Sequence, residues 1–173
     1  MIDNLERTIV KWAVDYSNIG TGKVFFNTEN VVLPSPPYTS IDIISGPNEL
    51  STGAYIYNEA TDKFDYRGDV EFNIQFNVYG NDCLKISDRL IGSLSDPDVR
   101  AYFKTNNVIQ TNAFNFGIIH DGTLQNVNYL KRNVIEMNFI TNSIYAGINR
   151  LVEITIEPED QLENKMQTIV QNL

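Results

Sequence analysis

Val70-Glu71-Phe72-Asn73-Ile74-Gln75-Phe76-Asn77-Val78-Tyr79 alternates apolar and polar side chains without an error. Successive residues of a strand point to opposite faces. This period of two therefore demands a strand with Val70, Phe72, Ile74, Phe76 and Val78 on a buried face and Glu71, Asn73, Gln75 and Asn77 on the other. A helix would scatter the same apolar residues around its circumference. The rest of the fold is read outward from this half-buried strand.

Downstream, Gly80-Asn81-Asp82 turns the chain into a helix over about 82–94, with Leu84, Ser87, Leu90, Ile91 and Leu94 on one side. Asp96-Pro97 supplies the N-cap and first-turn proline of a second short helix reaching about Lys104. Residues 108–119 are apolar and aromatic enough for a strand, without clean alternation, and His120-Asp121-Gly122-Thr123 reads as the turn that follows. Asn133 to Thr141 presents Ile135, Met137 and Phe139, and Leu151 to Glu157 presents Val152, Ile154 and Ile156. These two strands read as a hairpin around Ala146-Gly147.

Upstream, Leu5, Ile9, Trp12, Ala13 and Tyr16 share one face of a helix over 2–17, with Asp3 placed to cap it. Gly20 and Gly22 end that helix, and Lys23 to Asn27 reads as a short strand. Leu33-Pro34-Ser35-Pro36-Pro37 is neither helix nor central strand, because proline lacks the donor. Tyr38 to Ile44 alternates again, with Ile41 and Ile43 on one face. Between Gly46 and Gly68 the chain is polar and punctuated, yet carries Tyr55, Tyr57, Phe64 and Tyr66, the pattern of a long hairpin flap around Thr61-Asp62-Lys63. After Pro158, Leu162, Met166, Ile169, Val170 and Leu173 fall on one helical face, an amphipathic C-terminal arm. The expected class is α+β, a mainly antiparallel sheet flanked by helices, with residues 1–157 as one domain and 158–173 as the arm.

Composition narrows the function. The 173 residues are 42% hydrophobic and 20% charged, enough for one globular domain with a real core. No stretch approaches the roughly 20 apolar residues of a membrane helix, and Met-Ile-Asp-Asn-Leu-Glu-Arg lacks the basic-then-apolar pattern of a signal peptide, so synthesis in the cytosol without membrane association is expected. One cysteine, Cys83, excludes an internal disulfide framework and reads as a small buried hydrophobe. A formal charge of −9, spread along the chain, argues against a surface built to neutralise phosphates.

No catalytic set emerges. His120 is the only histidine, so any Ser-His-Asp or Cys-His arrangement would have to use it, and His-Asp-Gly is more simply a turn. One His and one Cys cannot build a nitrogen and sulfur zinc site, and no acidic run matches a calcium loop. Glu157, Glu159, Asp160 and Glu163 suit the acid-rich first turn of a helix better than a pair of glycosidase carboxylates. Gly20-Thr21-Gly22-Lys23 lacks the upstream glycine spacing of a phosphate loop and precedes a strand instead of a helix. No cofactor and no metal are expected. The flap aromatics suit either a subunit interface or, in the alternative reading, the ligand-stacking platform of a monomeric carbohydrate-binding module.

Taken in order, the signals resemble those of phage neck and tail-terminator proteins over about residues 5–157. The resemblance rests on the N-terminal helix, the short strand, and the proline-rich turn into Pro37-Tyr38-Thr39-Ser40-Ile41. It continues through the strand ending Asn77-Val78-Tyr79-Gly80, the helix directly after it, and a basic pair opening Asn133-Val134-Ile135-Glu136-Met137-Asn138-Phe139. Lys131-Arg132 stands where such proteins often carry an acidic-basic pair, and the segment after Pro158 is longer than their usual ending. The resemblance implies a non-enzymatic virion protein, made in the host cytoplasm. Six copies would close into a ring that caps the tail tube protein and joins it to the head-tail connector or other neck proteins. A sheath protein would be a further partner if the tail contracts, and genomic DNA would pass through the lumen without specific binding. A head-to-tail ring needs two different complementary patches per subunit. The flap (Tyr55, Tyr57, Phe64, Tyr66) and the arm (Leu162, Met166, Ile169) are the expected interface residues.

Overall fold

A computed structural model describes residues 2–27, 32–50, 52–125 and 128–148. In chain order the elements are α1 (Ile2–Ser17), β1 (Val24–Phe26), β2 (Tyr38–Glu49), β3 (Ala54–Asn58) and β4 (Lys63–Tyr79), then α2 (Cys83–Ser93), α3 (Pro97–Thr105), β5 (Val108–Gln125) and β6 (Asn128–Ile148). The class is α+β, as the alternation and helical spacings require. Among the described residues the strands form one open sheet in the order β1-β2-β4-β6-β5, antiparallel except for the β1–β2 pair, with β3 paired to β4 alone. Because β6 occupies one side of β4 along Phe64 to Tyr79, β3 lies on the other side, end to end with β2.

The alternating strand is central, and its apolar face is the core. Phe72, Ile74, Phe76 and Val78 pack with Ile135, Met137 and Phe139 of β6 beneath Leu5, Ile9 and Trp12 of α1 and Phe103 of α3. Trp12 meets Phe76 edge-on, with ring centroids 5.8 Å apart, and its indole N–H donates to Ser93 Oγ at 3.0 Å. That bond satisfies the one polar atom of a fully buried ring. Asp96 caps α3 by accepting the Asp98 N–H at 2.9 Å.

The proline-rich entry and the glycine exit of the sheet have one steric explanation. Tyr38 and Tyr79 are register partners whose rings stack at 4.6 Å. Gly80, at φ +119, sits where a Cβ would come within 3.1 Å of Pro37. Only glycine combines that backbone angle with that approach.

Several local expectations are corrected. The helix following β4 buries Cys83, Ile86, Ser87 and Leu90, at offsets of three, four and seven, so its inward face is rotated and Leu84 points to solvent. The strand read over 70–79 begins at Lys63, and β2 runs on through Gly46 and Pro47 to Glu49 with register shifts. His120 to Thr123 is not the turn: β5 continues to Gln125, His120 pairs with Lys131 and Leu124 with Tyr129, and the register shift between them absorbs the glycine as a bulge. Nor does the chain reverse at Ala146-Gly147. Tyr66 pairs with Tyr145 and Phe64 with Ile148, because the long β4 ladder carries β6 straight through. The strand expected over 151–157 and the arm over 158–173 lie outside the described residues.

Candidate functional site

The flap exists as a projection of the sheet itself. Strand alternation along β4 puts Phe64, Tyr66, Val70 and Phe72 on one face, so the flap aromatics continue the core face past the end of the helix layer. Tyr55 pairs with Tyr66 and Tyr57 with Phe64, with ring centroids 5.3 and 5.4 Å apart. The four residues named from sequence thus form one cluster. Among the described residues no helix lies above them, and Tyr55, Tyr57 and Phe64 are 52%, 49% and 39% exposed. Leu162, Met166 and Ile169 lie outside the described residues.

Local chemistry holds the flap in shape. Asn58 Oδ1 accepts the Ala60 N–H at 3.1 Å and its amide donates to Asp65 at 3.0 Å, fixing the turn. The Tyr57 hydroxyl donates to Asp62 Oδ1, and this bond raises the tyrosine's pKa. Gly53 donates its N–H to the Tyr66 hydroxyl at 3.1 Å.

The other face of the sheet bears a different chemistry. Among the described residues no helix packs there, and its centre presents Asp42, Glu71 and Glu136 among Asn73, Gln75, Asn77 and Asn138. Asn77 donates to Asp42 at 2.8 Å, Gln75 to Asn77 at 3.0 Å and Asn138 to Glu71 at 3.0 Å. Amide donors thereby orient carboxylates along a polar ribbon.

Two features were not anticipated from sequence. One is the outermost strand β5, where Ile109 and Phe114, on the same face as Glu136, and Phe116 are 59%, 56% and 57% exposed. Its shape is fixed from within: buried Asn133 donates to Ser87 Oγ at 2.7 Å and to Asn115 Oδ1 at 3.0 Å, and Asn115 Oδ1 also accepts the Gly117 N–H, at 2.9 Å, inside a bulge. The other is a groove of about 510 Å³ beside the start of β5, between Leu94, Phe103, Val108 and Ile109, with Arg100 and Lys104 also in its walls. The irregular alternation of 108–119 was the only sequence signal for either. Among the described residues no three His, Cys, Asp or Glu side chains come together as metal ligands, and Cys83 is buried.

The chain belongs to the family described as phage neck terminator protein, whose model matches residues 3–161. This is a family of structural proteins of the phage neck, not of enzymes, and it locates the chain in the tail and neck of a virion. No curated protein matches the sequence.

Proposed function

We propose that six copies of the chain close into a ring that ends the tail tube and joins it to the head-side connector, with a sheath protein as a further neighbour where the tail contracts. The observation that carries this reading is the flap: Tyr55, Tyr57 and Phe64 extend the core face beyond the helices and stand exposed, as a surface built for a partner does. Residues 1–157 would be the body of the ring. Residues 158–173, through Leu162, Met166 and Ile169, would strap it to a neighbour. We assign the uncovered face to the lumen, where Asp42, Glu71 and Glu136 would repel phosphates and let the genome pass without sticking.

Light scattering and negative-stain images of the purified protein, alone and with the tail-tube protein, test the reading. Annuli of about 120 kDa, six copies of a 19.7 kDa chain, are expected. A chain monomeric under both conditions would overturn it and favour an aromatic ligand-binding module.

A further inference from the structure

On opposite sides of the described sheet, β5 and β3 each present an open edge that carries a long uncharged stretch. β5 pairs only with β6, and over 108–119 it reads Val-Ile-Gln-Thr-Asn-Ala-Phe-Asn-Phe-Gly-Ile-Ile, without one Asp, Glu, Lys or Arg, in a chain that is 20% charged. β3 pairs only with β4, and residues 50–58, Leu-Ser-Thr-Gly-Ala-Tyr-Ile-Tyr-Asn, are likewise uncharged. An open edge presents unpaired main-chain donors and acceptors, and isolated subunits usually guard it with lysine or proline. Neither stretch contains either residue. The register shifts of β5 bend it, but pairing with β6 resumes beyond each one, so a long apolar edge remains.

The two edges are complementary in direction and in the charges that flank them. β3 and β6 both run antiparallel to β4, and β5 runs antiparallel to β6, so β5 and β3 point in opposite senses. Rotation about a ring axis preserves the axial sense of a strand. Where the strands run along that axis, β5 of one copy therefore meets β3 of the next as an antiparallel pair. The groove beside Val108 and Ile109 carries Arg100 and Lys104, whereas the segment containing β3 is flanked by Glu49, Glu59 and Asp62.

We infer that the outer edge of β5 and its neighbouring groove receive β3 of an adjacent copy, which adds its strand to the sheet and lays the Tyr57 ring, on the helix-covered face, against Val108 and Gln110 beside Phe103. Glu59 and Asp62 then face Arg100 and Lys104. This rests on the ring reading and names the surface that reading leaves open: the flap of one subunit docks on the edge of the next, and the six sheets join into one wall.

Cysteine cross-linking in the full chain tests it. Tyr57→Cys and Gln110→Cys, two positions on the helix-covered face, in the same chain should give, on oxidation of the assembled protein with or without tail tube, a ladder of covalent oligomers on a non-reducing denaturing gel. Each single variant should give none. Separately, Ile109→Lys with Phe116→Lys, both at solvent-exposed positions of one chain, should reduce the particle to 19.7 kDa while the near-ultraviolet signal of Trp12 stays native. Rings that persist in the lysine variant, with no ladder in the double cysteine variant, would overturn this interface and leave the ring reading standing. A wild-type chain that stays monomeric with and without tube would remove both.

Discussion

The Tyr66 ring lies over Gly53: a Cβ built on that glycine would meet Tyr66 Cζ at 2.5 Å, and the Arg67 carbonyl oxygen is nearer still. The Gly53 N–H also donates to the Tyr66 hydroxyl, at 3.1 Å, so the missing side chain and the hydrogen bond act together to seat the aromatic cluster.

Gly53→Ala should therefore loosen the flap without unfolding the core. Overpacking of this kind costs about 1–3 kcal/mol. Faster amide exchange confined to β3 and the first residues of β4 is the expected result; faster exchange at Phe72 to Val78 as well would mean that this contact does not act on the flap separately from the core.

The core should respond to Trp12. Removing a fully buried ring that touches Phe76 and Phe103 makes Trp12→Ala worth about 3–5 kcal/mol in urea unfolding. Trp12→Phe should lose less, and much of its loss should come from leaving Ser93 Oγ without the indole donor at 3.0 Å.

Alkaline pH should destabilise the fold. Burial raises the pKa of Tyr38, with the neighbouring Tyr79 adding to the effect, and burial likewise raises that of Tyr102. The unfolded value is about 10. The folded values lie higher, so the contribution is fully present below that pH and is lost as pH rises through the folded values. The urea midpoint should hold up to about pH 10 and then fall, and Tyr38→Phe should make the fall shallower.

The polar face offers a direct test of its assignment to the lumen. Glu71→Lys with Glu136→Lys replaces two carboxylates of that face by cations. Assembled wild-type particles should not retain double-stranded DNA at low salt, whereas the variant should retain it and release it as salt rises. Equal behaviour of the two would remove this face from the channel.

Much of this architecture could be read residue by residue. The period of two over 70–79 identified the core face, the offsets of Leu5, Ile9 and Trp12 identified α1, and Asp96-Pro97 marked the start of α3 because a cap and a first-turn proline are local signals. Pairing over distance was less visible. Ala146-Gly147 resembles a turn, and only the partnership of Tyr66 and Phe64 with Tyr145 and Ile148 holds it extended. Spacing alone does not decide the buried side of the helix after Gly80, since Leu84 and Cys83 differ little as hydrophobes and the sheet selects Cys83. The flap cluster was recognised from its aromatics. The β5 edge has no such local signal, because it is defined by which side of the described sheet carries no further strand.

β4 is a single strand of 17 residues that runs from Phe76 and Phe72 in the core to Tyr66 and Phe64 in the flap, with one register shift against β6 between the last two. The flap is accordingly a lever without a hinge. Its bearing is fixed when the core packs, so docking it freezes little additional motion, and the association loses less entropy than closure of a loose loop would. The angle between neighbouring subunits would then be inherited from the twist of one strand, and the circumference of the assembly would be decided inside each molecule before any two of them meet.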